Sequence, residues 1–305
     1  MDTVTTMLPD PGRPRDRGAA SLAREVLGVF KLRIGVMIML TALVGLAVTP
    51  GPAPGLLQWI VLAVSVFVSS ASAGAFNQYV EYDTDRLMAR TRTRAFVTGA
   101  LPHTPLWLLL IGAMLALSVA AAWLAINAVA AMYVFLGAFF YAVVYTVWLK
   151  RRTSMNIVVG GLAGSFAVLA GAATVDPALG PLPLLLALVL FLWTPPHFWS
   201  LAIANHADYA AAGVPMLPVV VGTRRAARIV LLSTVALVAA SILPVFFGAG
   251  PVYLAGALVG GLHFVRKAWA LARRPGRGTA MGAFFASLVQ LSLLLVAASI
   301  DGLLR

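Results

Sequence analysis

Residues 56–94 read LLQWIVLAVSVFVSSASAGAFNQYVEYDTDRLMARTRTR, and the two halves of this stretch differ sharply in character. Leu56 to Val80 is 25 residues without a charge, long enough as a helix to cross a hydrocarbon core of about 30 Å. The next 14 residues, Glu81 to Arg94, hold three acids and four arginines. The reading is a spanning helix that ends in an ionic segment at one membrane face.

The rest of the chain repeats this pattern. Further apolar runs lie at about 31–49, 106–125, 128–149, 154–175, 182–205, 227–247, 250–270 and 281–303, which makes nine spans in all. Of 305 residues, 61% are hydrophobic and only 10% charged, with a mean hydropathy of +0.94. A soluble surface needs roughly 25% charged residues, so the chain is expected to be an all-α integral membrane protein. Residues 1–29, rich in Pro, Arg and Asp, read as a flexible cytoplasmic arm, and 30–305 as one helical domain. The breaks at Ile126-Asn127 and Gly248–Pro251 are short enough for antiparallel hairpins between helices 3 and 4 and between 7 and 8.

Charge placement fixes the expected orientation. Of the 22 Lys and Arg residues, 21 fall in the arm and the even-numbered loops, and only Arg305 lies on the other side. Cytoplasmic loops hold such an excess, so the N-terminus is expected inside and the C-terminus outside. The net charge of +12 is therefore mainly topological, and nucleic acid is not an expected partner. With no cysteine, thiolate metal sites, cysteine nucleophiles and covalent haem attachment are excluded.

Among ten acids, Glu81, Asp83, Asp85 and Asp208 stand out because they sit at the cytoplasmic ends of helices 2 and 6, where ionisable groups are costly. Asn77, Glu81 and Asp85 follow an i, i+4, i+8 course and share one helix face, while Asp83 points elsewhere. Oxygen ligands on one face suit Mg²⁺, which is usually held by one or two carboxylates together with waters and substrate phosphates. The arginines of the following segment can fork onto phosphate oxygens. Pairing of these acids and arginines in a solvated loop is the alternative. Asp208, in Asn205-His206-Ala207-Asp208-Tyr209, ends helix 6 as the first cluster ends helix 2, and this hints at a duplicated four-helix unit with a site between its halves.

These residues resemble the UbiA-type intramembrane prenyltransferases, and within them the branch that acts on haem. The likeness rests on Asn77 to Arg94, Lys150 to Gly161, the string Leu192-Trp193-Thr194-Pro195-Pro196-His197-Phe198-Trp199, and Asp208-Tyr209 through Pro218. It covers nearly all of residues 30–303. The resemblance implies nine helices around a central cavity in a bacterial inner membrane. It implies transfer of the farnesyl group of farnesyl diphosphate to a vinyl group of haem b, with water capturing the resulting cation and diphosphate leaving. Mg²⁺ would be held by Asn77, Glu81, Asp85 and Asp208, with haem b as substrate and not a resident cofactor. Arg90, Arg94, Lys150, Arg151, Asn156, His197 and Tyr209 are the expected substrate-binding residues.

His197 lies 11 residues before Asp208, roughly 16 Å up an unbroken helix, and would meet the haem deep in the membrane. Its alternative role is capping carbonyls freed by Pro195 and Pro196. Membrane lipid is an expected partner, and the resemblance adds haem A synthase or terminal-oxidase assembly. A transferase acting on a quinone precursor or another tetrapyrrole would share the acidic motifs. A secondary transporter would place its acids nearer the bilayer midplane.

Overall fold

The computed structural model of the chain describes residues 19–304, and all regular structure among them is helical. Helices α1 (Ala19–Val29) and α2 (Leu32–Val48) meet at a 43° bend over Phe30 and Lys31. Residues 19–29, which the sequence leaves in the arm, thus form a helix, and Val29 is buried beside Phe96 and Trp107. The remainder of the arm lies outside the described residues.

Helix α3 (Leu56–Val80) runs through Glu81 into the short α4 (Tyr82–Arg86). Helices α5 (Leu106–Ala125) and α6 (Ala128–Phe139) form the expected hairpin, turned where Asn127 Oδ1 accepts from the Ala130 N–H at 2.8 Å. The α6 span continues as a π-helical stretch, Phe140–Leu149. The next span is α7 (Asn156–Gly160) followed by α8 (Leu162–Val175). Beyond it come α9 (Pro181–Ala204), α10 (His206–Ala211), α11 (Leu217–Val221), α12 (Thr223–Ala240), α13 (Pro251–Arg273) and α14 (Arg277–Leu303).

Seven of these spans are long and apolar enough to cross a membrane, and the bent α1–α2 pair is an eighth candidate. Helix α13 has the length, 23 residues, but His263, Arg266 and Lys267 reduce its apolarity. Membrane helices gain nothing from burying apolar surface against one another in preference to lipid, so they associate through close packing of small residues and interhelical hydrogen bonds. Both occur here. A Cβ on Gly171 of α8 would stand 1.8 Å from the Ala42 carbonyl oxygen of α2, so the two backbones touch. Ser69 of α3 donates to Val134 O at 3.1 Å, Ser165 of α8 to Ala187 O at 2.8 Å, and Asn127 to Ala173 O at 2.7 Å.

The last helix returns to the first span, with Gly302 of α14 against Ala47 of α2. Asp301 on the same turn accepts from the Tyr253 N–H at 2.7 Å and so caps the positive end of α13. The outer faces carry leucines into the surroundings. Leu124 of α5 is 85% exposed and Leu106, Leu109 and Leu117 nearly as much, a surface suited to lipid and not to water.

Candidate active site

The backbone hydrogen bonds explain why the first acidic motif forms a single face. The Glu81 N–H donates to Asn77 O at 3.0 Å and the Asp85 N–H to Glu81 O at 2.8 Å, so helical stacking continues across the junction of α3 and α4. Asn77, Glu81 and Asp85 are 2%, 3% and 0% exposed, whereas Asp83 faces out, as the periodicity requires. Burying two carboxylates and an amide in one patch is unfavourable unless each is paired and hydrogen-bonded. The fold supplies partners from three separate segments.

Lys31 Nζ donates to Asn77 Oδ1 at 2.5 Å, and Asn77 Nδ2 donates to Thr146 Oγ1 at 3.0 Å. Lys150 forms an ion pair with Glu81. Arg94 Nη1 lies 2.5 Å from Asp85 Oδ2 and 3.9 Å from Glu81 Oε2. Asp85 Oδ1 is buried with no hydrogen-bond partner among the described residues. Burial raises the Asp85 pKa above its ordinary value, while the Arg94 guanidinium pulls it back.

Two local structures aim these cations. The chain after α4 folds back in successive turns, with Thr91 Oγ1 donating to Asp85 O at 3.0 Å and Met88 and Phe96 anchored in the core, so Arg94 points at the acid nine residues before it. On the other side, the Lys150 N–H reaches Tyr145 O at 2.9 Å, five residues back, and the wide π-helical winding brings Thr146 to Asn77 of α3 and Tyr141 to Lys31, while Tyr145 packs on Gly160. π-Helical insertions of this kind are frequent at functional sites. Arg151 donates to Thr84 Oγ1 on α4. Asn156, fully buried, donates to Thr153 O at 2.7 Å and Lys150 O at 3.2 Å and thereby holds the loop that carries Lys150; its own Oδ1 is unpartnered.

The second acidic motif approaches the first without merging with it. Tyr209 of α10 is buried, which raises its pKa, and Arg90 acts on its hydroxyl from the α4 loop in the opposite sense. Asp208 is half-buried and has no ion-pair partner among the described residues. No three acids or histidines converge into a ready-made metal cage among those residues.

The residues nevertheless fit a magnesium ion. The donors are oxygen atoms on one face, one carboxylate oxygen is buried and free, and basic side chains already occupy the others. Two carboxylates from protein, with the remaining positions left to water and phosphate, is the usual Mg²⁺ arrangement.

His197 belongs to a different part of the molecule. Its ring stacks on Trp193 at 4.1 Å and on Phe284 at 4.6 Å, and Nδ1 lies 2.6 Å from Ser287 Oγ on α14. Ser287 uses its only proton on Phe284 O at 2.6 Å, so His197 Nδ1 carries the hydrogen and Nε2 the lone pair. His197 therefore does not cap carbonyls freed by the prolines, through which α9 runs unbroken.

Lys31, Tyr141, Thr146 and Ser287 were not legible as site residues. Lys31 counts towards the topological charge excess, and the other three look like ordinary helix-packing residues.

A family of membrane-embedded transferases accounts for this combination of fold and site. The UbiA prenyltransferase family matches residues 38–289, and the chain belongs to that family. It is 59% identical over 281 residues to protoheme IX farnesyltransferase 2 of Paramagnetospirillum magneticum, covering 92% of this chain and 98% of that one. It is 40% identical to the protoheme IX farnesyltransferase of Acidiphilium cryptum, covering 92% and 88%. Among solved structures, the fold resembles a UbiA homologue from Archaeoglobus fulgidus bound to DMAPP and Mg²⁺, with a TM-score of 0.68 at 17% identity over 88% of this chain and 99% of that one.

Proposed function

We propose that this chain is a magnesium-dependent farnesyltransferase of the bacterial inner membrane. It moves the farnesyl group of farnesyl diphosphate to a vinyl group of haem b, with addition of water, giving haem O and diphosphate for terminal-oxidase haem. The names of the relatives at 59% and 40% identity support the substrate pair, and the Mg²⁺ and prenyl diphosphate of the Archaeoglobus structure support the cofactor. The observation in this chain that carries the reading is the buried face of Asn77, Glu81 and Asp85, ringed by Lys31, Lys150 and Arg94 with one carboxylate oxygen free.

Breaking the farnesyl C1–O bond builds negative charge on the diphosphate oxygen while an allylic cation forms. Asn77, Glu81, Asp85 and, from the second motif, Asp208 would hold Mg²⁺, which would supply positive charge to offset it. Arg90 and Arg94 on the α4 loop and Lys150 and Arg151 after the π-helical stretch bind the phosphate oxygens and hold the leaving group in place. Asn156 keeps the Lys150 loop closed, and Tyr209 positions Arg90. His197 offers its Nε2 lone pair to the haem among aromatic rings that exclude water.

The same reading sets nine helices around a central cavity, with the N-terminus cytoplasmic, the C-terminus outside, and one domain that takes in α1 together with residues 30–305. It places the chain beside haem A synthase or terminal-oxidase assembly as partners. Membranes holding the protein, incubated with haem b, farnesyl diphosphate and Mg²⁺, should yield farnesylated haem by mass spectrometry. Asp85→Ala should yield none; no product from the wild type sinks the proposal.

A further inference from the structure

Lys31 is a half-buried cation of this site whose hydrogen-bond partners are both neutral. Its Nζ donates to Asn77 Oδ1 at 2.5 Å and to the Tyr141 hydroxyl at 3.1 Å, and no carboxylate among the described residues lies within 4 Å. Lys150 and Arg94 each face an acid. Drawing an ammonium partly out of water without a counter-ion is unfavourable, and an anion arriving beside it relieves that cost.

The backbone is shaped to put the lysine there. Lys31 is left-handed, with φ 50° and ψ 44°, at the break between α1 and α2. A residue with a Cβ is strained in that conformation, and such strain collects at ligand clamps. Gln78, the neighbour of Asn77, holds the break by donating to Gly28 O at 2.8 Å and Val29 O at 3.1 Å. The stem then runs along α3 past Gly74, where a Cβ would come 3.4 Å from Lys31 Cβ and 3.5 Å from its Cδ. A glycine or asparagine would form the same bend at lower cost, so the strained lysine points to a use for its side chain.

We propose that Lys31 is a diphosphate-binding residue that waits on the metal-binding oxygen. Its ammonium occupies Asn77 Oδ1. A divalent cation on that oxygen displaces it by charge repulsion, and the ammonium, still tethered by its stem, transfers to the diphosphate oxygens beside the metal. Lysine suits this exchange because it acts as a mobile point charge without a fixed fork geometry. The inference rests on the proposed metal-diphosphate site and adds an order to it: the cation frees the lysine, and the lysine then receives the anion.

The test uses the full chain in detergent and two binding readouts that need no turnover. Mg²⁺ is titrated alone, and then inorganic diphosphate or the unreactive analogue farnesyl thiodiphosphate is titrated in saturating Mg²⁺. Lys31→Met should bind Mg²⁺ alone on the order of tenfold more tightly and both diphosphates on the order of tenfold more weakly, each about 1.4 kcal/mol. A passive packing role moves neither, and a simple phosphate clamp moves only the second.

Because the chain has no cysteine, Lys31→Cys offers a unique thiol. Aminoethylation there rebuilds the ammonium and should restore both affinities, which separates loss of charge from loss of fold. Unchanged or weaker Mg²⁺ binding in Lys31→Met, no rescue of the alkylated variant, or loss confined to the farnesyl analogue overturns the proposal. A wild type that binds no diphosphate in Mg²⁺ overturns instead the functional reading on which it stands.

Discussion

Replacing Arg94 by methionine leaves the fully buried Asp85 with neither oxygen in an ion pair, since Oδ1 is already unpartnered and Oδ2 loses its guanidinium at 2.5 Å. Removing one member of a fully buried pair costs about 3–5 kcal/mol. The Arg94 side chain keeps 20% of its surface exposed, so solvent screens part of the pairing and about 2–3 kcal/mol is expected. For a chain of this size that lowers Tm by about 5 °C. Metal-free protein in detergent, followed by intrinsic fluorescence on heating, gives the shift directly.

Asp85→Asn supplies the second arm of the cycle. It removes the buried charge, so Arg94→Met in that background should cost under about 1 kcal/mol, and the difference isolates the coupling. Equal shifts in both backgrounds, or an Arg94→Met protein that melts with the wild type, refute Arg94 as the counter-charge of Asp85.

Three further outcomes test other parts of the molecule. Gly171→Ala forces a methyl into the Ala42 carbonyl and should cost about 3 kcal/mol, whereas Gly164→Ala, with nothing within 4 Å, should gain about 0.5–1 kcal/mol; paired melting curves compare them. His197→Phe keeps the aromatic stack but removes Nδ1–H and Nε2, so haem b titrated by absorbance should bind on the order of tenfold more weakly to a protein that still folds. Burial holds the Asp85 pKa above 3.8, so the folded state takes up the extra proton. In metal-free protein the Asp85 contribution to stability should therefore be present at acid pH and be lost as pH rises through the raised pKa, a slope that Asp85→Asn should flatten.

The shared face of Asn77, Glu81 and Asp85 was readable because helical periodicity is local: spacing alone determines which side chains align, and the structure buries all three while leaving Asp83 outside. The hairpin at Asn127 was readable for the same reason, since a capping side chain acts within three residues. Helix α1 was not, because its sequence is weakly apolar and its burial depends on Phe96 and Trp107, about 70 residues away. The tautomer of His197 was equally hidden, being set by Ser287 on a helix 90 residues later.

By itself, then, the sequence determined that this is a helical membrane protein and where its oxygen-bearing side chains and arginines cluster. These follow from composition and from spacings of three, four and eight residues, which act through the local geometry of one helix. Only the tertiary structure decided which cation meets which acceptor: Lys31 with Asn77, Lys150 with Glu81, Arg94 with Asp85. Two of those pairs join separate helical segments, and a lysine's charge reads the same in sequence whether it orients a helix or enters a site. The left-handed turn at Lys31 and the π-helical winding before Lys150 turn loop charge into site charge, and both depend on packing against α3 that no local pattern encodes.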